Sequence, residues 1–269
     1  YAASPFFSKD GKSVYYERRA MDIMKDRTHS TLWQVSTDGK KHRPVIAGSA
    51  NVRQVTLSPD GTMLAYLSDE DGSNQLYVRY LDSGQQARLT EVSKAPGNLT
   101  WSHDSKHLAF TMFTPVKTKP LFTAMPEKPK GADWAPAASI IQKTGYRADG
   151  KGYLPDGFNQ IYILPVSGGT PRQLTTGNYP NDGRLAFTPD DSGIYFSANR
   201  SEDYELSPFD SDIYRVDIQS ADVTAVTDMA GPEESPMLSP DGKYLAFKQI
   251  NDNKKAYQFS DIVVLNLES

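Results

Sequence analysis

The residues of this sequence best suited to chemistry are an acidic pair, an isolated guanidinium and a run of carboxylates. Glu233 and Glu234 place two adjacent carboxylates between Gly231-Pro232 and Ser235-Pro236, a loop-like setting from which both can converge on an ammonium group. Arg147 offers a planar guanidinium that can meet a carbonyl or carboxylate through two hydrogen bonds, or else simply pair with Asp149. Asp69-Glu70-Asp71-Gly72 gathers three carboxylates beside Ser73 and Asn74. It lacks the alternating spacing that turns oxygen ligands to one side of a calcium loop, so it reads as a solvated hairpin tip and no metal or cofactor is expected. Ser207-Pro208-Phe209-Asp210-Ser211-Asp212 reads likewise as a loop before a strand.

A nucleophile is harder to find. The chain has no cysteine, and a G-x-S-x-G elbow, whose glycines permit a sharp strand-to-helix turn, does not occur. The nearest match, Gly11-Lys12-Ser13, carries Tyr15 where the final glycine belongs. Of the four histidines, His29, His42, His103 and His107, the last two fall in a turn and a strand, with no oriented partner apparent for a general base. The sequence by itself therefore predicts no catalytic residue.

Composition narrows the rest. With 269 residues, 38% hydrophobic and 11% aromatic, the chain can bury a substantial core. A net charge of −4 without a clustered basic face argues against a nucleic-acid partner. No apolar run reaches the roughly 18 residues of a membrane span. Lys117, Lys119, Lys128 and Lys130 are interleaved with proline and diluted by Glu127 and Asp133, and read as a solvated face. The first residue is Tyr1 rather than Met, which leads to the expectation of a processed or trimmed product.

What must position these groups is a repeat. Ten-residue windows align without gaps from Phe7, Leu57, Trp101, Phe187 and Leu238, as in LSPDGTMLAY and LSPDGKYLAF, and their anchor aspartates Asp10, Asp60, Asp104, Asp190 and Asp241 lie 50, 44, 86 and 51 residues apart. Proline presets φ, aspartate bonds the local backbone and glycine accepts positive φ, so each window is a tight turn entering a strand. Second strands follow at Leu32-Val35, Leu76-Leu81, Ile161-Val166, Ile213-Ile218 and Ile262-Leu267. Short last strands are predicted near Arg43-Ile46, Ala87-Thr90, Arg172-Thr175 and Ala225-Thr227. Four strands repeating every 40 to 50 residues or so is the pattern of a propeller blade. Runs such as Leu64-Ala65-Tyr66 and Leu245-Ala246-Phe247 suit a sheet buried on both faces. The expectation is an all-β single domain over 1–269, a β-propeller of four-stranded antiparallel blades. About five blades are present, over 1–48, 49–92, 93–177, 178–229 and 230–269, the last of them truncated. A β-sandwich would not need five copies of one turn.

The spacing of 86 marks a long insertion in the third blade, Phe113 to Asn159. Its proline-rich first part should be extended, Ala137 to Tyr146 could form a short helix, and Arg147 to Tyr153 reads as a turn. Trp134, Tyr146, Tyr153 and Phe158 favour an ordered, packed segment, and loops of this length in compact domains are usually functional or disordered.

The repeated S-P-D-G-x-x-L-A-[YF] turn and the [QN]-x-[IL]-Y-[IV] strand followed by x-G-x-x-R-x-L-T resemble propeller blades of the TolB-like type. The insertion segment D-W-A-P-A-A-S-I-I-Q-K-T-G-Y-R-A-D-G-K-G-Y-L, followed by N-Q-I-Y-I-L-P-V-S-G-G-T-P-R-Q-L-T, resembles one branch of the prolyl oligopeptidase family, that of the acylaminoacyl-peptidases and related dipeptidyl peptidases. The resemblance implies a serine peptidase whose propeller precedes an α/β-hydrolase domain and restricts entry to peptides. It also implies a propeller of seven or eight blades, against which five are an incomplete set, a fragment of a longer chain with open faces suited to a homo-oligomer. Paired propeller glutamates hold a substrate amine in some members, which makes Glu233 and Glu234 candidate substrate-binding residues, joined by Arg147, Trp134 and Tyr146 of the insertion. The alternative is a TolB-like module that only binds proteins in the bacterial envelope. Family and first residue together point to a periplasmic or secreted product.

Overall fold

The computed structural model describes residues 1–116, 126–135, 141, 143–181, 183–251 and 257–268. Among these, no helix is found and the strands assemble into five antiparallel sheets in strict chain order, plus one small hairpin. The first sheet is β1 (Ala2–Phe7), β2 (Ser13–Asp22), β3 (Arg27–Ser36) and β4 (His42–Ile46). The second is β5 (Val52–Leu57), β6 (Met63–Ser68), β7 (Gln75–Tyr80) and β8 (Gln86–Arg88). In the third, β9 (Pro96–Trp101) and β10 (His107–Pro115) are followed by the hairpin β11 (Arg147–Ala148) and β12 (Gly152–Tyr153). The chain then returns to the sheet with β13 (Gly157–Pro165) and β14 (Arg172–Gln173). The fourth is β15 (Ala186–Phe187), β16 (Gly193–Ala198), β17 (Asp212–Asp217) and β18 (Val223–Ala225). The fifth is β19 (Glu233–Leu238), β20 (Tyr244–Gln249) and β21 (Asp261–Asn266). This is a β-propeller array, with the first strand of each sheet innermost: β5 touches β9, β9 touches β15, and β15 touches β19.

The apolar core lies in the seams between sheets. Leu64 and Tyr66 on one face of β6 pack with Tyr15 and Leu32 of the first sheet, while Ala65 and Leu67 on the other face pack with Leu108, Phe110 and Leu164 of the third. Every residue of β6 is accordingly buried, as the continuous apolar run predicts. Ile161, Ile163, Ile194 and Phe196 close the next seam. The last, between the fourth and fifth sheets, has the smallest set of buried residues among those described: Tyr195, Ile213, Leu245 and Phe247.

Two local devices recur. In each window the Ser or Thr hydroxyl donates to the anchor aspartate, as Ser58 does to Asp60 and Thr188 to Asp190, and the same oxygen accepts the backbone N–H of the residue entering the strand. Hydrogen bonds from Thr188 and then from Ser192 hold Asp190 down at about 2. Innermost strands also carry a bulge. Ser4, Gln54, Asn98 and Ser235, with φ of 50°, 51°, 52° and 59°, sit where the register of β1, β5, β9 and β19 slips. An extra residue there raises the local twist of the strand nearest the axis.

The tight turns join neighbouring sheets. Two windows replace the turn glycine, by Ser105 (φ 61°) and Asp191 (φ 57°), and both side chains reach the preceding sheet. Ser105 Oγ accepts from Asp60 N at 3.1 Å. The Asp191 carboxylate accepts from His103 N at 2.8 Å and Asp104 N at 3.0 Å, and lies 2.8 Å from His103 Nδ1. His103 thus has an oriented carboxylate, which the sequence did not reveal, but the pair stands among turns. Because strands alternate in direction, these turns occupy one face of the array. The connections β2–β3, β6–β7, β10–β13, β16–β17 and β20–β21 occupy the other.

Candidate functional site

The insertion leaves the loop face from a hairpin that is otherwise continuous. β10 and β13 pair from His107↔Pro165 out to Pro115↔Gly157, and Val116 N still donates to Asp156 O at 3.1 Å. Both strands therefore run past the predicted limits of 113 and 159, and the excursion is confined to residues between Val116 and Asp156. Residues 137–140 and 142, where much of the expected helix falls, lie outside the described residues. The described remainder, 141 and 143–146, is not helical. Contacts to the β16–β17 loop hold that stretch instead. Lys143 Nζ lies 3.7 Å from Asp156 and 4.2 Å from the centre of the Phe158 ring, whose edge meets Tyr204 at 5.9 Å. Thr144 N donates to Glu205 Oε2 at 3.2 Å.

This base carries an exposed hairpin. Tyr146 and Tyr153 face each other with ring centres 6.1 Å apart, Arg147 pairs in register with Tyr153, and Trp134 is 44% exposed. Arg147 is exposed as well, and among the described residues it makes no ion pair with Asp149 or with either glutamate. The hairpin therefore presents one guanidinium and several aromatic faces to solvent, a surface able to stack on apolar side chains and bond a carbonyl.

The acidic pair is arranged differently from the loop expected over Gly231–Ser235. Gly231, at φ 91°, admits the chain where a Cβ would strike Ile250 O, and β19 begins immediately after Pro232. Strand alternation turns the two glutamates to opposite sides. Glu234 is exposed, faces Lys248 in register and lines a cavity of about 270 Å³ with Pro180, Ala198, Asn199, Pro208 and Ser211. Glu233 is 0% exposed: it accepts the Thr227 hydroxyl at Oε2, and its N–H donates to Ser211 O at 2.7 Å. The reading of two carboxylates converging on one ammonium is thus corrected, since one of them is buried in a seam.

Beside Glu233 lies Asp212, which begins β17 rather than ending a loop. Burial, and next the Glu233 charge, push Asp212 up to about 6, and burial likewise raises Glu233. Nearby, Arg200 lies over the rings of Tyr179 and Tyr214 at 4.8 Å and 5.6 Å and donates to Asn181 Oδ1 at 3.0 Å. Sequence reasoning missed Asp212 and Arg200.

A larger cavity, about 670 Å³, opens between the first and second sheets. Lys25, Arg27 and His29 line one side, and Asp69 and Glu70 the other. It receives none of the candidate residues. The carboxylates of the nearby acidic tip serve the fold: Asp69 accepts from Asn51 N and Nδ2 at 2.7 and 2.8 Å, and Asp71 accepts from Tyr77 and Arg88 at 2.6 and 3.0 Å. No cluster suited to a metal occurs among the described residues.

Four four-stranded sheets and a fifth of three strands, in chain order and seamed by apolar side chains, define the class as a β-propeller. Residues 6–130 match the prolyl oligopeptidase N-terminal β-propeller domain, and residues 150–254 match the dipeptidyl peptidase IV N-terminal region. Together these matches span most of the chain, which thus resembles the N-terminal propeller region of prolyl oligopeptidase-type peptidases. It is 26% identical to dipeptidyl-peptidase 5 of Porphyromonas endodontalis over 263 residues, covering 89% of this chain and 36% of that protein. The fold superposes on Pyrococcus horikoshii acylaminoacyl peptidase with a TM-score of 0.71 at 14% identity, covering 99% of this chain and 38% of that one. A putative TolB from Agrobacterium tumefaciens gives 0.60 at 19% identity, covering 100% and 78%. The chain spans about a third of the length of the curated relatives it matches.

Proposed function

We propose that this propeller selects peptide substrates for a serine peptidase whose hydrolase domain it accompanies, and does not itself carry the catalytic residues. The observation that carries the reading is the one break in the repeat. An excursion rises from the loop face of the third sheet, is fixed there by Lys143, Thr144, Phe158 and Glu205, and exposes Tyr146, Arg147 and Tyr153. A blade array has no structural need of such a segment. Arg147 would meet a peptide carbonyl, Trp134 and Tyr146 would stack on its side chains, and Glu234, alone of the acidic pair, stays available to an amine. The exposed Tyr244, Ile262 and Val264 of the fifth sheet, and Phe7 and Met21 of the first, support a covering partner such as a further blade or a second copy.

The pairing of Pro115 with Gly157 allows a clean test, because an Asn-Gly turn can join Val116 to Asp156 and leave the sheet intact. In the full-length natural protein, that excision should weaken discrimination against long peptides, and Arg147→Ala should raise KM with kcat little changed. Unchanged peptide kinetics in both variants would reject the proposal. The likeness to TolB structures supports a second reading, a propeller that only binds proteins, for which the full-length protein would hydrolyse no peptide.

A further inference from the structure

One buried polar device repeats along the chain and changes partner once. In the second sheet the Thr90 hydroxyl accepts from Leu76 N and donates to Gln75 Oε1, both at 2.9 Å. In the third, Thr175 accepts from Ile161 N at 2.9 Å and donates to Gln160 Oε1 at 2.7 Å. Each glutamine then returns its amide to a backbone carbonyl, Val92 O or Gly177 O. These two latches are built from neutral groups.

In the fourth sheet, Thr227 still accepts from Ile213 N at 2.9 Å, but Asp212 stands where Gln75 and Gln160 stand, and the Thr227 hydroxyl crosses the seam to Glu233 of the fifth sheet. The other Glu233 oxygen, Oε1, is buried and has no partner among the described residues. Asp212 accepts from the Tyr214 hydroxyl at 3.3 Å. We propose that Asp212 and Glu233 share one proton across the seam between the fourth and fifth sheets, forming a carboxyl–carboxylate latch that tightens when the proton is bound and loosens when it leaves.

The surroundings favour that reading. Asp228 acts on both groups and Asp210 on Asp212, and both add negative charge. Arg200, a nearby cation, is engaged with the Tyr214 and Tyr179 rings and Asn181. Gln249, opposite Glu233 in the sheet, spends its amide on Ala230 O. Asp212 and Glu233 carry carboxylates on the two sides of the seam with the least apolar packing, where like charges would repel; one proton held between them would remove that repulsion and offer a donor to Glu233 Oε1. When the proton leaves to water, both groups are charged and the seam is strained at Ser211, which bonds the Glu233 main chain and lines the cavity that Glu234 faces. Both carboxyls titrate above their ordinary range. The stability they contribute is therefore whole below the usual carboxylate range and is lost as the pH rises, for Asp212 through about 6.

The test combines unfolding and titration on this chain. Thermal unfolding midpoints between pH 4 and 8 should fall with pH in the wild type and fall less in Asp212→Asn, whose amide can donate to Glu233 without titrating. Carbon-13 NMR of the Asp212 carboxyl should show its midpoint dropping by about one unit or more in Glu233→Gln, as coupled sites require. An Asp212 midpoint unchanged by Glu233→Gln would mean burial alone, and a pH slope unchanged by Asp212→Asn would mean no latch; either result overturns the proposal. Should Asp212→Asn fail to fold, the Glu233→Gln titration still decides.

Discussion

Replacing Asp191 by glycine sets two effects against each other at one position. Asp191 occupies the left-handed region at φ 57°, where glycine is free of the penalty of about 1 kcal/mol borne by other residues. On local grounds Asp191→Gly should therefore stabilise. The side chain, however, takes two backbone N–H groups and lies against the His103 ring, all across the seam to the third sheet, and it is 20% exposed. Hydrogen bonds to a charged acceptor contribute about 1.5–3 kcal/mol each when buried. Since His103 is 52% exposed, we take about 1 kcal/mol for each of the three. The loss of about 3 kcal/mol exceeds the relief of strain, for a net destabilisation of about 2 kcal/mol and a Tm lower by roughly 4–8 °C. Ser105→Gly is the control: it removes one bond, to Asp60 N, while relieving similar strain at φ 61°, and should be close to neutral. Differential scanning calorimetry of both variants decides the matter. An Asp191→Gly protein as stable as the wild type, or one no less stable than Ser105→Gly, would refute the idea that the turns tie one sheet to the next.

Thr175→Val keeps the volume of a fully buried side chain but strands Ile161 N and leaves Gln160 Oε1 with Asn181 Nδ2 as its remaining donor, so it should cost about 1–3 kcal/mol in urea unfolding and accelerate amide exchange at Ile161. Asp190 works in the opposite sense to Asp212. Its hydrogen bonds from Thr188 and Ser192 depress it to about 2, so its contribution is present above the ordinary value of 3.8 and disappears as the pH falls through about 2. Asp190→Asn should accordingly flatten the acid limb of stability between pH 4 and 2, read from urea midpoints across that range.

The turns were readable from the sequence because their chemistry is local: Ser, Asp and Gly at fixed offsets satisfy one another without help from the rest of the chain. The Leu64-Ala65-Tyr66 strand was readable because burial on both faces leaves a continuous apolar run. Its counterpart Leu245-Ala246-Phe247 follows the pattern with Ala246 only half-buried, since β20 packs on one side against the fourth sheet and, among the described residues, meets no sheet on the other. Glu233 was misread because glycine and proline flank it and resemble a loop. Its burial is set by Thr227 and Ser211, residues whose proximity depends on how two sheets meet. Asp212 did leave a signal: aligning Gln75, Gln160 and Asp212 ahead of Leu76, Ile161 and Ile213 shows an acid in a glutamine's place. The bulges at Ser4, Gln54, Asn98 and Ser235 left none, because curvature at the axis rather than residue type demands positive φ there.

The central claim, that the excursion between Val116 and Asp156 selects peptides, is tested most directly by excising it behind the Pro115–Gly157 pair in the full-length natural protein. The quantity to measure is kcat/KM for a long peptide divided by that for a short one sharing its cleavage site. We predict that the ratio rises about tenfold, which corresponds to about 1.4 kcal/mol of discrimination removed. A ratio unchanged by the excision, in a protein that still folds and still cleaves the short peptide, would contradict the account.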